Sequence, residues 1–438
     1  MSTRILSDDV KNHVGKTVHV EGWLHKKRLL GGLTFINVRD RRGLVQVVLQ
    51  NKNEVEKLRG LQIGTVLAVD GKVVEEPRAP GGAELHDAKL TVLVPVTDEP
   101  PIEIDKPLSH KPENLDTLFE HRTIGLRNLQ ETAIFKIQAA ITKAARDYFY
   151  EQDFTEIHTP KLLAAATEGG AEVFKIDYFG KEATLAQSPQ FYKQIMVGVF
   201  ERVFEIAPVY RAEPSATTRH MTEYTSVDGE MGFIDISELE KFLSGLLNYV
   251  SDYIWKNHEA ELKILRAAKP ELPKHVPSIS MAEIHERYSK ATGQNTVGEK
   301  DLRPDEERWI CEYAHKELGS EAVFVTDWPA ADMKFYHKAQ AGKPELADRI
   351  DLLFRGVEIA TGSMRENDYD VVIKQLKEKA GGDPEDPGFK PILSAMQAGM
   401  PVHGGFGLGL ERLTEKFLGL SNVKEATLFP RDINRLAP

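Results

Sequence analysis

Two stretches roughly two hundred residues apart carry side chains suited to work on a phosphorylated ligand. Near the end of the chain, Gly404-Gly405-Phe406-Gly407-Leu408-Gly409 runs directly into Leu410-Glu411-Arg412. Glycines let backbone pass close to a flat or charged group, and the arginine offers a planar fork matched to phosphate. Upstream, Val209-Tyr210-Arg211-Ala212-Glu213 is followed by a polar loop from Pro214 to Glu223. Each feature has a plainer reading on its own. The glycine run could be a tight strand-to-helix turn, Arg211 and Glu213 a cross-strand ion pair, and Arg412 an ion pair at a helix start. Their occurrence together favours a site.

The elements that must position these residues fall into two regions. In the first hundred residues, five Val-, Ile-, Leu- and Thr-rich strands are expected at Thr17–Lys27, Leu33–Arg39, Leu44–Gln50, Thr65–Val74 and Glu84–Val96. Turn signals separate them at Gly31-Gly32, Arg42-Gly43 and Pro77 to Gly82, and a short amphipathic helix is expected at Asn53–Leu61. That order fits an OB-fold barrel, a fold that binds oligonucleotides, and it also fits a generic small barrel. Residues 97–128, rich in Pro and charge, read as a hinge. Beyond them Ile134, Ile137, Ile141, Ala144, Ala145, Tyr148 and Phe149 form a helical stripe, ending in a strand at Thr155 to Pro160. Further strands are expected at Arg202–Ala207, Tyr224–Phe233 and Leu352–Ile359, with helices near 236–257 and 305–318, and a helix then a loop across Asn367–Pro391. The fold class is α+β, with a mostly antiparallel sheet flanked by helices. The domain boundaries are 1–100, a hinge at 101–128, and 129–438. No repeat and no Rossmann or Walker phosphate signature occurs.

Composition is that of an ordinary globular enzyme, with 41% hydrophobic and 28% charged residues. No apolar run approaches the ~20 residues of a membrane span, and Met1-Ser2-Thr3-Arg4 opens no signal-peptide hydrophobic region. The lone Cys311 allows no internal disulfide, and no Cys/His cluster points to structural zinc. A cytoplasmic protein with no membrane partner is expected. The net charge is -11, yet residues 1–100 carry +2 and the remainder -13. Basic residues bunch at Lys26-Lys27-Arg28 and from Arg39 to Arg42, as a local polynucleotide contact would require, although each cluster also reads as solvated surface.

The Arg-x-Glu strand with its loop and the glycine-rich Glu-Arg helix resemble motifs 2 and 3 of class II aminoacyl-tRNA synthetases. The 131–152 helix leading to Pro160 resembles motif 1, the dimer-interface element. Gln187-Ser188-Pro189-Gln190-Phe191-Tyr192-Lys193-Gln194 is similar to the signature of aspartyl-tRNA synthetases. Thr167-Glu168-Gly169-Gly170, Val357-Glu358-Ile359, Met364-Arg365-Glu366 and Phe429-Pro430-Arg431-Asp432 extend the resemblance over essentially the whole chain. About 180 residues lie between Glu223 and the glycine run, too few for the inserted domain of the usual bacterial enzyme, so the resemblance is to the compact archaeal or eukaryotic type.

The resemblance implies an N-terminal OB-fold and a class II catalytic domain that joins L-aspartate to ATP and passes it to the 3′ end of tRNA. Such a site aligns reactants and neutralises charge growing on phosphate oxygens. It implies that Arg211 bridges the α-phosphate and the substrate carboxylate, and that Arg412 holds the γ-phosphate and lies over the adenine. Glu213 would bond the adenine amino group, and Arg219 and His220 would reach the β/γ-phosphates. Met221 and Gly409 would line the nucleotide site, and Tyr224 would stack on the base. Glu358 would be the principal Mg²⁺ ligand. Thr361, where archaeal relatives carry serine, keeps a hydroxyl for the metal and adds a methyl. No cluster of carboxylates is required there. Arg365 and Lys193 would bind the aspartate β-carboxylate, Gln190 would serve the α-amino end, and Glu168 would close over the ammonium. His403 reads as a packed strand-end residue with no catalytic role.

In the first domain the resemblance implies that Arg28, Phe35 and Gln46 read the anticodon, Phe35 as a stacking platform. A buried barrel-core phenylalanine is the alternative for Phe35. Relatives strict for tRNA-Asp tend to have Trp at the position of His25 and Lys at that of Pro80. His25 and Pro80 therefore imply charging of tRNA-Asn as well as tRNA-Asp, and a functional link to a tRNA-dependent amidotransferase. The implied assembly is a homodimer. Three other readings remain: an asparaginyl-tRNA synthetase, an amide-forming asparagine synthetase on the same fold, and a non-catalytic RNA-binding relative. Lys193 opposes the first, since a carboxamide needs both a donor and an acceptor.

Overall fold

The structure is a computed structural model that describes residues 3–30, 33–108, 112–164, 172–214 and 217–438. The chain divides into two compact units, Met1–Thr132 and Ala133–Pro438.

In the first unit, β1 (Thr17–Leu30), β2 (Leu33–Arg39), β3 (Leu44–Leu49), β4 (Val66–Glu75) and β5 (Ala83–Val94) close into a barrel of order β1-β2-β3-β5-β4. The helix Lys52–Arg59 follows β3, and the Asn51 side chain caps it by accepting from the Asn53 backbone N–H. Alternation decides which face is inside: Val18, Val20, Ile36, Val38, Val45, Val47, Leu67 and Val69 fill the interior. The segment expected to be a hinge carries two helices, Pro112–Glu120 and Arg122–Gly125. Leu115, Leu118 and Phe119 make a small apolar cluster there with Ile102 and Leu108.

The second unit is built on an eight-stranded sheet. Its strands are β6 (Thr155–Glu156), β7 (Arg202–Tyr210), β8 (Glu223–Gly232), β9 (Ser278–Ser280), β10 (Ala322–Thr326), β11 (Arg349–Phe354), β12 (Val357–Met364) and β13 (His403–Gly409), in the order β9-β10-β11-β12-β13-β8-β7-β6. Only β9 with β10 and β7 with β6 pair in parallel. The helix Leu129–Glu151 lays its expected stripe on this sheet, with Ile134, Ile137, Ile141, Ala144, Ala145 and Phe149 all buried. Phe149 stacks on Phe204 with ring centroids 4.3 Å apart. Each large side chain so buried contributes about 1.5–3 kcal/mol. The long helix Ile236–Asn257 begins in a capping box between Asp235 and Glu238 and packs Leu239, Leu243 and Leu246 into the same core.

Three sequence expectations are corrected. Leu352–Ile359 is not one strand but the middle of the β11–β12 hairpin. Its turn is Arg355-Gly356, at φ 47° and 82°, the left-handed pair that a two-residue hairpin favours. The motif 1 strand is confined to Thr155–Glu156. The strand β10 and the helix Met281–Thr292 were not anticipated.

Candidate active site

The sheet sets the site by register. On β8, Asp228 lies opposite Gly407 and Glu230 opposite Gly405; on β12, Thr361 and Ser363 lie opposite the same two glycines. A Cβ on Gly405 would fall 2.0 Å from Glu230 Oε2, and one on Gly407 would fall 3.3 Å from Asp228 Oδ1. The glycines of β13 thus make room for two acidic side chains of the neighbouring strand, a role the sequence did not reveal.

A cavity of about 400 Å³ opens over this floor. Gln190, Lys193, Arg211, Glu213, Arg219, His220, Met221, Tyr224, Glu358, Thr361, Arg365, Gly409 and Arg412 all line it, so residues distant in sequence converge. Glu168 lies outside the described residues. At one end the helix Gln190–Phe200 delivers Lys193, whose Nζ donates to Asp228 Oδ1 and to the Phe406 carbonyl, both at 2.8 Å, and lies 3.5 Å from Glu230 Oε2. Arg365 donates Nε to Glu230 Oε1 at 2.7 Å, Nη2 to Glu230 Oε2 at 3.1 Å and Nη1 to Ser363 Oγ at 2.5 Å, with its guanidinium 5.5 Å from the Tyr336 ring centroid. Burial opposes the Glu230 charge, but Arg365 and Lys193 outweigh it and hold its pKa below the usual range. Gln190 Nε2 is buried without a hydrogen-bond partner among the described residues.

At the other end, Arg412 donates Nη1 to the Glu358 carbonyl at 2.9 Å and reaches the Arg219 carbonyl through Nε and Nη2 at 3.4 and 3.3 Å. The Arg211 guanidinium lies 5.9 Å from the Tyr224 ring centroid. His220 Nδ1 is 2.7 Å from Thr217 Oγ1 and its Nε2 is 3.6 Å from Glu213 Oε2. Burial lowers its pKa, aided by Arg412, Arg211 and Arg219 and opposed by Glu213, so the ring stays neutral near pH 7. His403 is buried, its Nδ1 donating to the Pro401 carbonyl at 2.8 Å and its Nε2 3.2 Å from Gln194 Oε1, as a packed histidine would be.

Sequence reasoning missed three acids. Asp228 and Glu230 are the partners of the two pocket cations. Asp351 stands opposite Thr361 across the β11–β12 ladder. Burial and the nearby Glu358 charge push its pKa up to about 6, while Arg349 (Nη2 to Oδ2, 2.7 Å) and Thr361 work the other way. Thr361 Oγ1 also donates to Glu358 Oε1 at 3.2 Å. Two carboxylates and a hydroxyl therefore gather where one carboxylate was expected, an oxygen donor set of the kind a hard divalent cation takes. Burial is the main cause of the raised Asp351 pKa, and a cation there would offset the smaller part that comes from Glu358.

On the barrel, Phe35 pairs with Arg28 and with Val48 across the β1–β2–β3 ladders. It lies between the buried residues Thr34 and Ile36 and is itself only half-buried, so it is on the outward face and not in the core. Gln46 donates Nε2 to Glu84 Oε2 at 2.7 Å. His25 sits at the bulge in β1, 5% exposed, and Pro80 starts the 3₁₀ turn Pro80–Gly82.

A closed five-stranded barrel followed by a sheet in which an Arg-x-Glu segment leaves β7, a glycine strand lies one strand further in and an arginine helix follows it, defines a two-domain synthetase. Residues 114–433 match the family described as tRNA synthetases class II (D, K and N), and residues 18–93 match the OB-fold nucleic acid binding domain. The chain belongs to the class II tRNA synthetases of this group and is a ligase of the aminoacyl-tRNA synthetase type. It is 43% identical to the Aspartate–tRNA(Asp/Asn) ligase of Thermus thermophilus, over 99% of this chain and 100% of the relative. It is 40% identical to the Aspartate–tRNA(Asp) ligase of Pyrococcus abyssi, over 100% of both. Among solved structures, asparaginyl-tRNA synthetase from Pyrococcus horikoshii complexed with asparaginyl-adenylate superposes with a TM-score of 0.91 at 32% identity, over 100% of both chains. Among the described residues no helix is long and apolar enough to cross a membrane.

Proposed function

We propose that the chain activates L-aspartate with ATP and transfers it to the 3′ end of tRNA-Asp and also of tRNA-Asn. The supporting observation is the pair of buried cations, Lys193 and Arg365, that line the cavity. Arg365 has five N–H donors and uses three on Glu230 and Ser363, leaving one on Nη1 and one on Nη2. These two N–H groups, with a second cation nearby, suit both oxygens of a β-carboxylate. A carboxamide would return one oxygen and place an N–H₂ against these donors.

In this reading Arg211 and Arg412 hold and neutralise the phosphate chain, and Glu213 selects the adenine edge. Met221, Tyr224 and Gly409 form the walls around the base, and Arg219 and His220 receive the β/γ-phosphates. Glu358, Thr361 and Asp351 would hold Mg²⁺, which would supply positive charge to the phosphate oxygens. Gln190 and Glu168 serve the aspartate ammonium end, and Arg28, Phe35, Gln46, His25 and Pro80 read the anticodon. The enzyme works as a cytoplasmic homodimer. Its relaxed tRNA choice couples it to a tRNA-dependent amidotransferase. ATP–pyrophosphate exchange tests the substrate: exchange should require aspartate and be absent with asparagine, and asparagine-driven exchange would overturn the reading.

A further inference from the structure

Outside the residues given a role above, the helix Pro304–Leu318 meets the Arg355-Gly356 turn and the loop carrying Arg219. The seating is tight. Gly356 has φ +82°, and a Cβ built on it would lie 3.0 Å from Arg308 Cγ and 3.4 Å from Arg308 Cα. Cys311, one helical turn beyond Glu307, is buried. Helix and turn therefore form one platform. Arg219 reaches across to it, donating Nη1 to Glu307 Oε2 at 2.5 Å and Nη2 to the Gly356 carbonyl at 3.2 Å. Both side chains of this ion pair are largely buried, at 22% and 17% exposure, so solvent screens it little.

The loop around Arg219 is tied down on its other sides. The Arg219 carbonyl accepts from Arg412, the Thr218 carbonyl from the Val423 N–H at 3.0 Å, and Met221 Sδ from Thr427 Oγ1 at 3.1 Å. The Thr222 N–H donates to the Arg431 carbonyl at 3.0 Å. Among these tethers only the Glu307 contact holds the Arg219 head group by charge.

We propose that Glu307 is a positioning residue for nucleotide binding: it fixes the Arg219 guanidinium at the cavity wall, so that the N–H groups it leaves unused are pre-set for an anionic phosphate chain. Two of the five Arg219 donors are spent on Glu307 and Gly356, and three remain. Holding a long cationic side chain before the ligand arrives removes the ordering cost from binding. The charges facing Glu307 fit this role. Burial and Glu358 raise its pKa, and Arg219 and Arg412, two cations that line the same cavity, favour its charged form. The inference rests on the reading that Arg219 contacts the β/γ-phosphates.

The test is ATP–pyrophosphate exchange with KM for ATP and for aspartate measured separately in the full-length protein. Glu307→Gln keeps the shape and removes the charge; it should raise the ATP KM about tenfold, as expected for loss of a charge-assisted hydrogen bond, and leave the aspartate KM unchanged. Glu307→Asp should recover part of the loss, and it carries the test if the glutamine variant fails to fold. In an Arg219→Ala background Glu307→Gln should add nothing further. A lower ATP KM in Glu307→Gln would mean that the pair competes with ATP, and would overturn the proposal. So would an unchanged ATP KM in Glu307→Gln where Arg219→Ala raises it. An Arg219→Ala enzyme with unchanged ATP KM would remove Arg219 from the nucleotide site, a separate failure of the underlying reading.

Discussion

Lys193 and Asp228 form a buried ion pair, Nζ to Oδ1 at 2.8 Å, with both side chains 2% exposed. The pocket cation is thus structural before it is functional. With Arg365 and Glu230 it makes a four-charge cluster that is neutral overall, and an added carboxylate enters a balanced field rather than a bare positive one. The pocket works through donors left unspent and through orientation.

Lys193→Ala should therefore act twice. It strands Asp228 without its cation, a loss on the order of 3–5 kcal/mol in stability when one partner of a buried pair is removed. It should also raise the aspartate KM far more than the ATP KM. Thermal unfolding read beside exchange kinetics separates the two effects. An unchanged aspartate KM in a folded variant would take Lys193 out of the substrate site.

Arg211→Ala should abolish adenylate formation, with a barrier increase of about 3–4 kcal/mol typical of losing a key electrostatic contact. Binding of tRNA should hold nearly constant, since the proposed anticodon contacts are on the barrel. Single-turnover adenylate assays beside filter binding check this. Robust adenylate synthesis would refute the role given to Arg211.

Glu411 supplies a pH dependence. Its carboxylate accepts from the Thr225 N–H at 3.0 and 3.1 Å, and burial pushes its pKa from 4.5 up to about 7. A raised folded pKa means that the protonated form is favoured in the fold. Its contribution is complete below about pH 4.5 and is lost as pH rises through about 7. Glu411→Gln should remove this slope. The variant should match the parent near pH 5 and exceed it in stability near pH 8, by on the order of 1–3 kcal/mol. Denaturant melts across that range decide it, and parallel curves would show that Glu411 does not titrate there.

Much of this was legible in the chain. The five barrel strands were readable because Val, Ile and Leu alternate cleanly and Gly or Pro marks most breaks. The pocket residues were legible through motifs, not periodicity. The acids were not: Asp228 and Glu230 sit in a stretch expected only as a strand, and their meaning appears when β13 brings glycines opposite them. Asp351 was lost because Leu352 to Ile359 reads as a single strand on its Leu, Phe, Val and Ile content, which hides the Arg355-Gly356 turn. A charged residue in a left-handed turn position leaves little mark on local pattern, and tertiary pairing decided the outcome.

The 131–160 segment should carry a symmetric dimer contact. Sedimentation at micromolar concentration should give a species of twice the chain mass, and an active monomer would contradict it.

The tRNA choice is the most exposed prediction. The two anticodons share two bases and differ at the third, where tRNA-Asp has C and tRNA-Asn has U. In the proposed reading, selection between them comes from the barrel. His25 is buried at the β1 bulge, and burial with the nearby Arg39 charge lowers its pKa, so it stands as a compact neutral ring. Pro80 brings no side-chain donor and no backbone N–H with which to select the cytosine carbonyl. The enzyme should then aspartylate purified tRNA-Asn with an efficiency close to that for tRNA-Asp. Changing both positions, His25→Trp with Pro80→Lys, should tighten selection toward tRNA-Asp by about tenfold or more, the worth of one well-placed polar contact to a base. The ratio of kcat/KM for the two tRNAs, before and after the double change, is the measurement. A parent enzyme that already prefers tRNA-Asp by about 4 kcal/mol, roughly a thousandfold, would defeat the claim, because discrimination would then reside in residues other than these two.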